Sequence, residues 1–227
     1  MFHIQNRNNT LIIPPPELWY KATNIELDVD DEVIRLYDMS GNGHDSLRVD
    51  PSVGNIYLST SGYNHIISNS ANYGGYFTII DPFSLNGAFT IFVVSHRSIS
   101  GSYHSLLAGY TGDTFNGRLF EDSPVPWRMG ISDLSGIRSM GAFPYGNTFV
   151  AYTPSSMWTH GIKSYTYYDS ATINNFGEAA RFMAGNLSVY TDRYIGSIYE
   201  FIIYDTILSD YEIGIVFNYL MTKYSLD

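Results

Sequence analysis

The stretch Tyr194–Leu226, YIGSIYEFIIYDTILSDYEIGIVFNYLMTKYSL, carries the clearest structural pattern in the chain. Its first part, residues 194–205, is rich in Ile, Tyr and Phe, which is typical of a β-strand. Ser209 and Glu212 follow with the S-x-x-E spacing of a capping box, in which each residue binds the backbone N–H of the other. The stretch therefore predicts a strand and then a helix that begins at Ser209.

Apolar residues behind this cap recur at the i, i+3, i+4, i+7 spacing of one helix face. They are Ile213, Val216, Phe217 and Leu220. Acidic residues lie in the first turn and Lys223 in the last, which matches the helix dipole. We predict a short C-terminal helix over 209–223 that packs on a core.

The rest of the chain consists of short apolar or aromatic runs separated by Gly, Asn, Ser and Pro, which is typical of a β-sandwich. The predicted strands are 18–21, 33–38, 75–81, 88–97, 104–110, 127–133, 158–169 and 194–205. Run 88–97 is apolar almost throughout, which indicates a strand buried on both faces. Long turn-rich connections are predicted between Arg97 and Trp158.

The composition agrees with a folded, mainly β protein. Of the 227 residues, 44% are hydrophobic and only 15% are charged, so the chain has ample material for a core. Aromatic residues reach 16%, with 20 Tyr and 13 Phe, and these residues favour strands.

The charge and cysteine content exclude several classes of function. The net charge is −10, and the lysines are Lys21, Lys163 and Lys223, so the chain lacks the basic patch of a nucleic-acid binder. An anionic membrane surface would repel it, and no run approaches the ~18 apolar residues of a membrane span, so we expect no membrane insertion. The absence of cysteine excludes disulfides and thiolate chemistry.

Residues 1–16 are predicted to form a Pro-rich arm, and residues 17–227 a single domain that includes the helix. The prolines of LIIPPP favour extended polyproline geometry, and such an arm packs on its own domain or reaches a neighbouring subunit. The N-terminal residues lack the basic start and long apolar run of a signal peptide, so we expect no general export signal.

Residues 18–47 contain an early Trp strand and then a D-x-S-G-N-G motif, and residues 194–226 contain a strand, a Leu-Ser-Asp turn and a helix. These two stretches resemble the opening and the close of the laminin G-like jelly-roll domains of the concanavalin A-like lectin/glucanase superfamily. The matching positions are Asp38, Ser40, Gly41, Asn42 and Gly43, and then Gly196, Ile198, Glu200, Tyr204, Leu208, Ser209, Asp210 and Glu212. The resemblance implies an all-β, antiparallel β-sandwich jelly roll with a short C-terminal α-helix.

The acidic stretch ELDVDDE, residues 26–32, suggests two kinds of site. If it were one strand, Glu26, Asp28 and Asp30 would share a face, and paired carboxylates are what glycoside hydrolysis requires. It resembles the E-x-D-x-x-E strand of laminarinase-type hydrolases, but the last Glu falls one position late. Asp28 and Asp30 are alternatively candidate calcium ligands, because calcium prefers oxygen donors. A solvated acidic loop is the interpretation that we prefer.

The remaining chemistry favours binding over catalysis. The six histidines form no metal-binding spacing, and no G-x-S-x-G, Walker or G-x-G-x-x-G motif occurs, so we expect no cofactor other than calcium. The segment 141–156 has the Tyr, Ser, Gly and Asn mixture of adaptable recognition surfaces. We predict Trp127, Tyr145 and Tyr152 as carbohydrate-contacting residues, although tyrosines also fill cores and interfaces.

The sequence thus predicts a non-enzymatic structural or binding module. The preferred hypothesis is a bacteriophage or viral particle protein, such as a capsid decoration, fibre or tail component, made in the host cytoplasm and present in the virion. Its expected partners are other virion subunits, further copies of itself and a cell-surface glycan. The alternatives are a stand-alone, extracellular carbohydrate-binding lectin and, third, a glycoside hydrolase that uses Glu26, Asp28 and Asp30.

Overall fold

The structure of the protein is a computed structural model that describes most of the chain. The described residues are 4–6, 9–11, 13–48, 56–68, 75–85, 87–96, 104–111, 114–122, 128–133, 136–142, 147–166, 177–183, 194 and 196–225.

These residues form two large antiparallel sheets, a small hairpin and one helix. The hairpin consists of β1 (Ile4–Asn6) and β2 (Asn9–Leu11). The eight-stranded sheet contains β3 (Leu18–Lys21), β7 (Ile56–Ser59), β8 (His65–Ser68), β10 (Thr90–His96), β15 (Asn147–Thr153), β16 (Ser156–Thr159), β17 (Ile162–Thr166) and β19 (Gly196–Tyr204). The nine-stranded sheet contains β4 (Ile25–Leu27), β5 (Val33–Leu36), β6 (Ser46–Arg48), β9 (Phe77–Ser84), β11 (His104–Thr111), β12 (Thr114–Asp122), β13 (Arg128–Asp133), β14 (Gly136–Ala142) and β18 (Glu178–Phe182). The predicted all-β, antiparallel β-sandwich is therefore confirmed.

The strand order places the long, apolar strands at the centre of the eight-stranded sheet. That order is β17-β16-β15-β10-β19-β8-β7, with β3 also paired to β19. The nine-stranded sheet runs β14-β13-β12-β11-β18-β9-β6-β5-β4. Strand β19 is buried along its whole length and β10 nearly so, which confirms the prediction of a doubly buried strand at 88–97.

Two hydrophobic cores explain this double burial. The first lies between the sheets and includes Phe182 from β18 and Phe201 from β19, whose ring centroids are 4.9 Å apart. The second lies between the other face of the eight-stranded sheet and the helix, and includes Phe92 and Phe217 at 5.6 Å. The helix therefore covers the outer face of the eight-stranded sheet over β10, β15, β16 and β19.

The helix α1 extends over Asp210–Tyr224 and matches the prediction closely. Ser209 Oγ accepts a hydrogen bond from the Glu212 backbone N–H, and Glu212 Oε2 accepts one from the Ser209 N–H at 2.7 Å. The four apolar residues of the predicted stripe are all buried against the second core. The capping box fixes the first turn locally, which is why the sequence locates it well.

The D-x-S-G-N-G turn is held by the Asp38 carboxylate. Its Oδ1 accepts hydrogen bonds from the backbone N–H groups of Trp19 (3.0 Å) and Ser40 (2.9 Å), and its Oδ2 accepts one from the His44 N–H. Gly41 has a φ of 93°, a conformation that glycine adopts without strain. The Asp38 carboxylate therefore ties this turn to strand β3.

Two predicted boundaries are wrong. Run 158–169 is not one strand, because His160 and Gly161 have φ values of 51° and 78° and turn the chain between β16 and β17. Segment 141–156, predicted as a recognition loop, contains β15 over Asn147–Thr153. Gly161 adopts the positive φ of a turn without strain, and the Tyr, Asn and Gly residues of 141–156 are compatible with a strand as well as with a loop.

The proposed arm lies partly in the described residues. Ile13 is buried in the second core, so this part of the arm packs on the sandwich. The division at residue 16 stays a prediction. In the described residues, no helix is long and apolar enough to cross a membrane.

Candidate functional site

The outer face of the nine-stranded sheet brings together residues that are distant in sequence. Strand register places Leu47 of β6 beside Thr78 of β9, and Thr78 beside Arg181 of β18. The neighbouring residues in the strands, such as Phe77 and Phe182, point into the core. Because side chains alternate across a strand, Leu47, Thr78 and Arg181 project outward. Leu47 is 42% exposed, so this part of the face is open to solvent.

A Tyr–Arg–Tyr arrangement lies at the centre of this face. The Arg181 guanidinium carbon is 4.0 Å from the ring centroid of Tyr110 in β11 and 5.9 Å from that of Tyr76. Arg181 Nη1 also donates a hydrogen bond of 2.6 Å to the Tyr110 hydroxyl. Tyr110 is buried, whereas Tyr76 and Arg181 are partly exposed. Tyr110 therefore forms a base that fixes the guanidinium, and Tyr76 forms its side. We call Tyr76, Thr78, Tyr110 and Arg181 the platform.

Close backbone packing supports the platform. Gly177, just before β18, has a φ of 80°, and a Cβ placed there would lie 2.6 Å from the Tyr110 carbonyl oxygen. Only glycine fits such an approach, so β18 begins tightly packed against β11. This packing holds the strands of Arg181 and Tyr110 at a fixed distance, which suits a preorganised site.

A second arginine on the same face is neutralised. Arg35 of β5 has its guanidinium 5.0 Å from the Tyr37 ring centroid, but its Nη2 donates to Asp45 Oδ2 at 2.9 Å. The Tyr37 hydroxyl donates to Glu26 Oε2 at 3.0 Å, and this hydrogen bond is the main cause of the raised Tyr37 pKa. By contrast, no carboxylate in the described part of the chain forms an ion pair with Arg181, not even Glu178 on the same strand. A carboxylate thus neutralises Arg35, whereas the described residues supply no counter-ion to Arg181.

The platform can recognise a planar or hydroxylated ligand. A guanidinium presents N–H donors in a fixed plane, and the Tyr76 ring offers an apolar face with a polar tip. The Thr78 hydroxyl both donates and accepts. These are the groups that bind a sugar ring by stacking and hydrogen bonding.

The predicted contact residues do not form this site. Tyr152 is fully buried in the core between the sheets, so its prediction as an exposed contact residue is wrong. It lies on β15, where it alternates with Ala151, and the alternation directs it inward. Trp127 and Tyr145 lie outside the described residues, and their roles stay predictions.

The acidic stretch forms a hairpin turn. Strand β4 ends at Leu27, and Asp31 has a φ of 61°, so the alternation that would align Glu26, Asp28 and Asp30 on one face is interrupted. Asp28 Oδ1 accepts hydrogen bonds from the N–H groups of Asp30 and Glu32, each at 2.9 Å. The Glu32 carboxylate instead pairs with Arg48. The stretch therefore lacks the two carboxylates facing one cleft that the hydrolase alternative requires.

The calcium site stays a prediction without geometric support. In the described ranges, no three His, Asp or Glu residues gather so that they could hold a metal ion. One Asp28 oxygen already accepts two backbone hydrogen bonds, which is the usual role of Asp in a turn.

Glu200 is only a motif position in the sequence, but in the structure it is a buried anchor. Glu200 on β19 accepts hydrogen bonds from Trp19 Nε1 (2.6 Å), Lys223 Nζ (2.6 Å) and the Tyr224 hydroxyl (2.7 Å). Burial, reinforced by the Glu200 charge, raises the pKa of Tyr224. Lys21 lies 3.8 Å from the Trp19 ring centroid. The cluster joins β3, β19 and α1, and its role is structural.

Lys21 gives a testable pH dependence. Partial burial lowers the pKa of Lys21 from 10.5 to about 8. The attraction of the Glu200 carboxylate acts in the opposite direction and raises this pKa. Between these values the unfolded chain binds a proton that the folded chain lacks, so the free energy of unfolding rises with pH. We expect this rise in urea unfolding between pH about 8 and about 9.5, and expect Lys21→Met to remove it. The more exposed Lys163→Met variant is the control and should keep it. A rise that persists in Lys21→Met would assign it to another group.

Comparison with known proteins supports the fold. No protein-family model matches the chain, and no curated protein matches it. Domain 4 of AbnA, an extracellular arabinanase from Geobacillus stearothermophilus solved with arabinotriose, is similar at 13% identity and a TM-score of 0.64, over 88% of this chain and 97% of that domain. The binding domain of botulinum neurotoxin DC in complex with SialylT is similar at 14% identity and a TM-score of 0.62. The match covers 91% of this chain and 52% of the toxin chain.

A third similar structure is the Trypanosoma rangeli sialidase with the inhibitor DANA, at 14% identity and a TM-score of 0.62, over 92% of this chain and 34% of the sialidase. This chain thus spans about half of the toxin domain and a third of the sialidase. At these identities the likeness shows a shared β-sandwich fold, and the laminin G-like assignment within that fold stays a prediction.

Proposed function

We propose that the chain is a non-enzymatic carbohydrate-binding module and that its platform holds the ligand. The observation that carries the proposal is the Arg181 guanidinium, fixed on the Tyr110 ring and flanked by Tyr76 on the outer face of a sheet. Tyr and Arg are the residues most often found at binding hot spots. The similar structures include domains solved with arabinotriose or SialylT, which supports the same class of ligand.

A glycan array with the full chain, run with calcium and again with a chelator, tests the proposal. We expect saturable binding to a restricted set of glycans, and we expect this binding to persist in the presence of the chelator. Tyr76→Ala should weaken binding by about tenfold, because loss of a stacking face costs on the order of 1.4 kcal/mol.

Tyr211→Ala is the matched control for this variant, because Tyr211 is 64% exposed on the helix, which packs on the other sheet. It should leave affinity unchanged. Absence of binding to any glycan would contradict the proposed function. Binding that Tyr76→Ala leaves intact would place the ligand elsewhere on the chain.

Carbohydrate binding fits both a lectin and a host-attachment component of a phage or viral particle. We propose the particle role from the sequence: an acidic, aromatic, lysine-poor chain suits permanent contacts with other subunits and extra copies of itself. A mass-spectrometric inventory of purified particles from a host that makes the protein tests this role. Detection of the chain in stoichiometric amounts would support it, and absence from the particles would favour an extracellular lectin.

A further inference from the structure

The charge around Arg181 points to a particular class of sugar. The chain has 22 acidic and 12 basic residues, so a basic side chain has ample opportunity to find a carboxylate. Arg35 on the same face has done so with Asp45. Among the described residues, Arg181 interacts instead with the ring faces of Tyr76 and Tyr110 and with the Tyr110 hydroxyl.

The geometry also leaves part of the guanidinium available. Arg181 is partly exposed, and within the described part of the chain its side chain donates a hydrogen bond only from Nη1, to Tyr110, so its other N–H groups can bind a ligand. The contact with the Tyr110 ring and the hydrogen bond to its hydroxyl restrain the guanidinium, which reduces the side-chain entropy that a ligand contact would otherwise remove. A planar carboxylate matches two parallel N–H donors, and such charge-assisted pairs are about twice as strong as neutral hydrogen bonds.

We infer that the platform binds a carboxylate-bearing sugar, such as a uronic or sialic acid, with the carboxylate on Arg181 and the sugar ring against Tyr76. This inference rests on the proposed carbohydrate-binding function and specifies its ligand. The positive charge of Arg181 attracts an acidic glycan locally, against the repulsion that a chain of net charge −10 would exert on it.

Calorimetric titration of the full chain with matched probes tests the inference without any mutation. The probes are sialyllactose against lactose, and a galacturonate trisaccharide against its methyl ester. We expect at least one acidic member to bind about tenfold more tightly than its neutral partner, and expect this preference to shrink as NaCl rises from about 50 to about 500 mM.

Substitutions then assign the preference to Arg181. Arg181→Gln should remove it, Arg181→Lys should keep part of it because the charge remains without the planar fork, and Arg35→Gln should retain it in full. Circular dichroism and thermal unfolding of each variant establish that it is folded. Loss of the preference in Arg35→Gln but not in Arg181→Gln would overturn the assignment.

The outcomes separate this inference from the proposed function. Equal binding of acidic and neutral partners, with loss in Tyr76→Ala, would overturn the inference and keep the carbohydrate-binding module. Tighter binding of sulfated lactose than of sialyllactose would show that the preferred anionic group is a sulfate and not a carboxylate. This result would also overturn the inference. Absence of binding to every probe and to every arrayed glycan would overturn both.

Discussion

Glu200→Ala should lower the free energy of unfolding by about 3 to 5 kcal/mol, the range measured when one partner of a buried ion pair is removed. Glu200 is 1% exposed and accepts hydrogen bonds from Trp19, Lys223 and Tyr224. The substitution removes the shared acceptor of these donors and of the Tyr219 hydroxyl at 3.5 Å; Trp19 lies on β3 and the others lie on α1. The helix would then lose its contacts with the Glu200 carboxylate, while the Tyr224 hydroxyl keeps its hydrogen bond to the Tyr199 carbonyl oxygen and the apolar face stays in place.

Urea unfolding followed by tryptophan fluorescence measures this loss, since Trp19 lies in the cluster. Asp205→Ala is the matched control, because Asp205 is an exposed carboxylate just after the same strand, and it should change stability by less than about 0.5 kcal/mol. Glu200→Gln should fall between the two, since the amide still accepts hydrogen bonds but leaves Lys223 without its counter-ion. A loss below about 1 kcal/mol in Glu200→Ala would show that apolar contacts alone hold the helix.

Features that depend on neighbours in sequence were predictable. The capping box at Ser209 and Glu212 and the apolar stripe behind it define α1 to within a residue or two. Asp38 binds the N–H groups of its own turn, so the D-x-S-G-N-G pattern already contains its partners. Such interactions depend on spacings of a few residues, which a sequence displays directly.

The platform could not be predicted in the same way. Tyr110 of β11, Arg181 of β18 and Tyr76, which directly precedes β9, meet because these three strands are neighbours in the sheet, and strand order is a property of the whole fold. A register shift between Ala179 and Arg181 also alters the simple alternation of β18. Strand β18 itself was not among the predicted strands, since the run EAARF is short and contains two charges.

Tyr152 shows the converse problem. Tyrosine is compatible with a recognition loop, an interface or a core, and only strand pairing decides among them. Once β15 pairs with β10 and β16, Tyr152 lies in the core and its neighbour Ala151 lies towards the helix. The composition of 141–156 could not supply that pairing, because it depends on residues about 60 positions earlier in the chain.

Phe182→Ala should likewise lower the free energy of unfolding by about 3 to 5 kcal/mol, because it opens a cavity between the two sheets. The Phe182 ring is fully buried, with its centroid 4.9 Å from that of Phe201 and 5.2 Å from that of Tyr20, both on the opposite sheet. Phe182→Leu keeps most of the volume and should cost less than about 1.5 kcal/mol. Ile80→Ala, at an apolar residue that is 49% exposed on the same sheet, is the control and should change stability little.

Comparison of Phe182 with Arg181 separates stability from recognition within two adjacent residues. They project to opposite faces of β18, Phe182 into the core and Arg181 onto the platform. Phe182→Leu should therefore lower the denaturation midpoint while glycan affinity, measured by calorimetry below that midpoint, stays within about twofold. Arg181→Gln should do the reverse, with affinity lost and the midpoint nearly unchanged. If both variants lowered affinity in proportion to stability, the platform would depend on the folding of the whole sheet, and Arg181 would have no separate role in recognition.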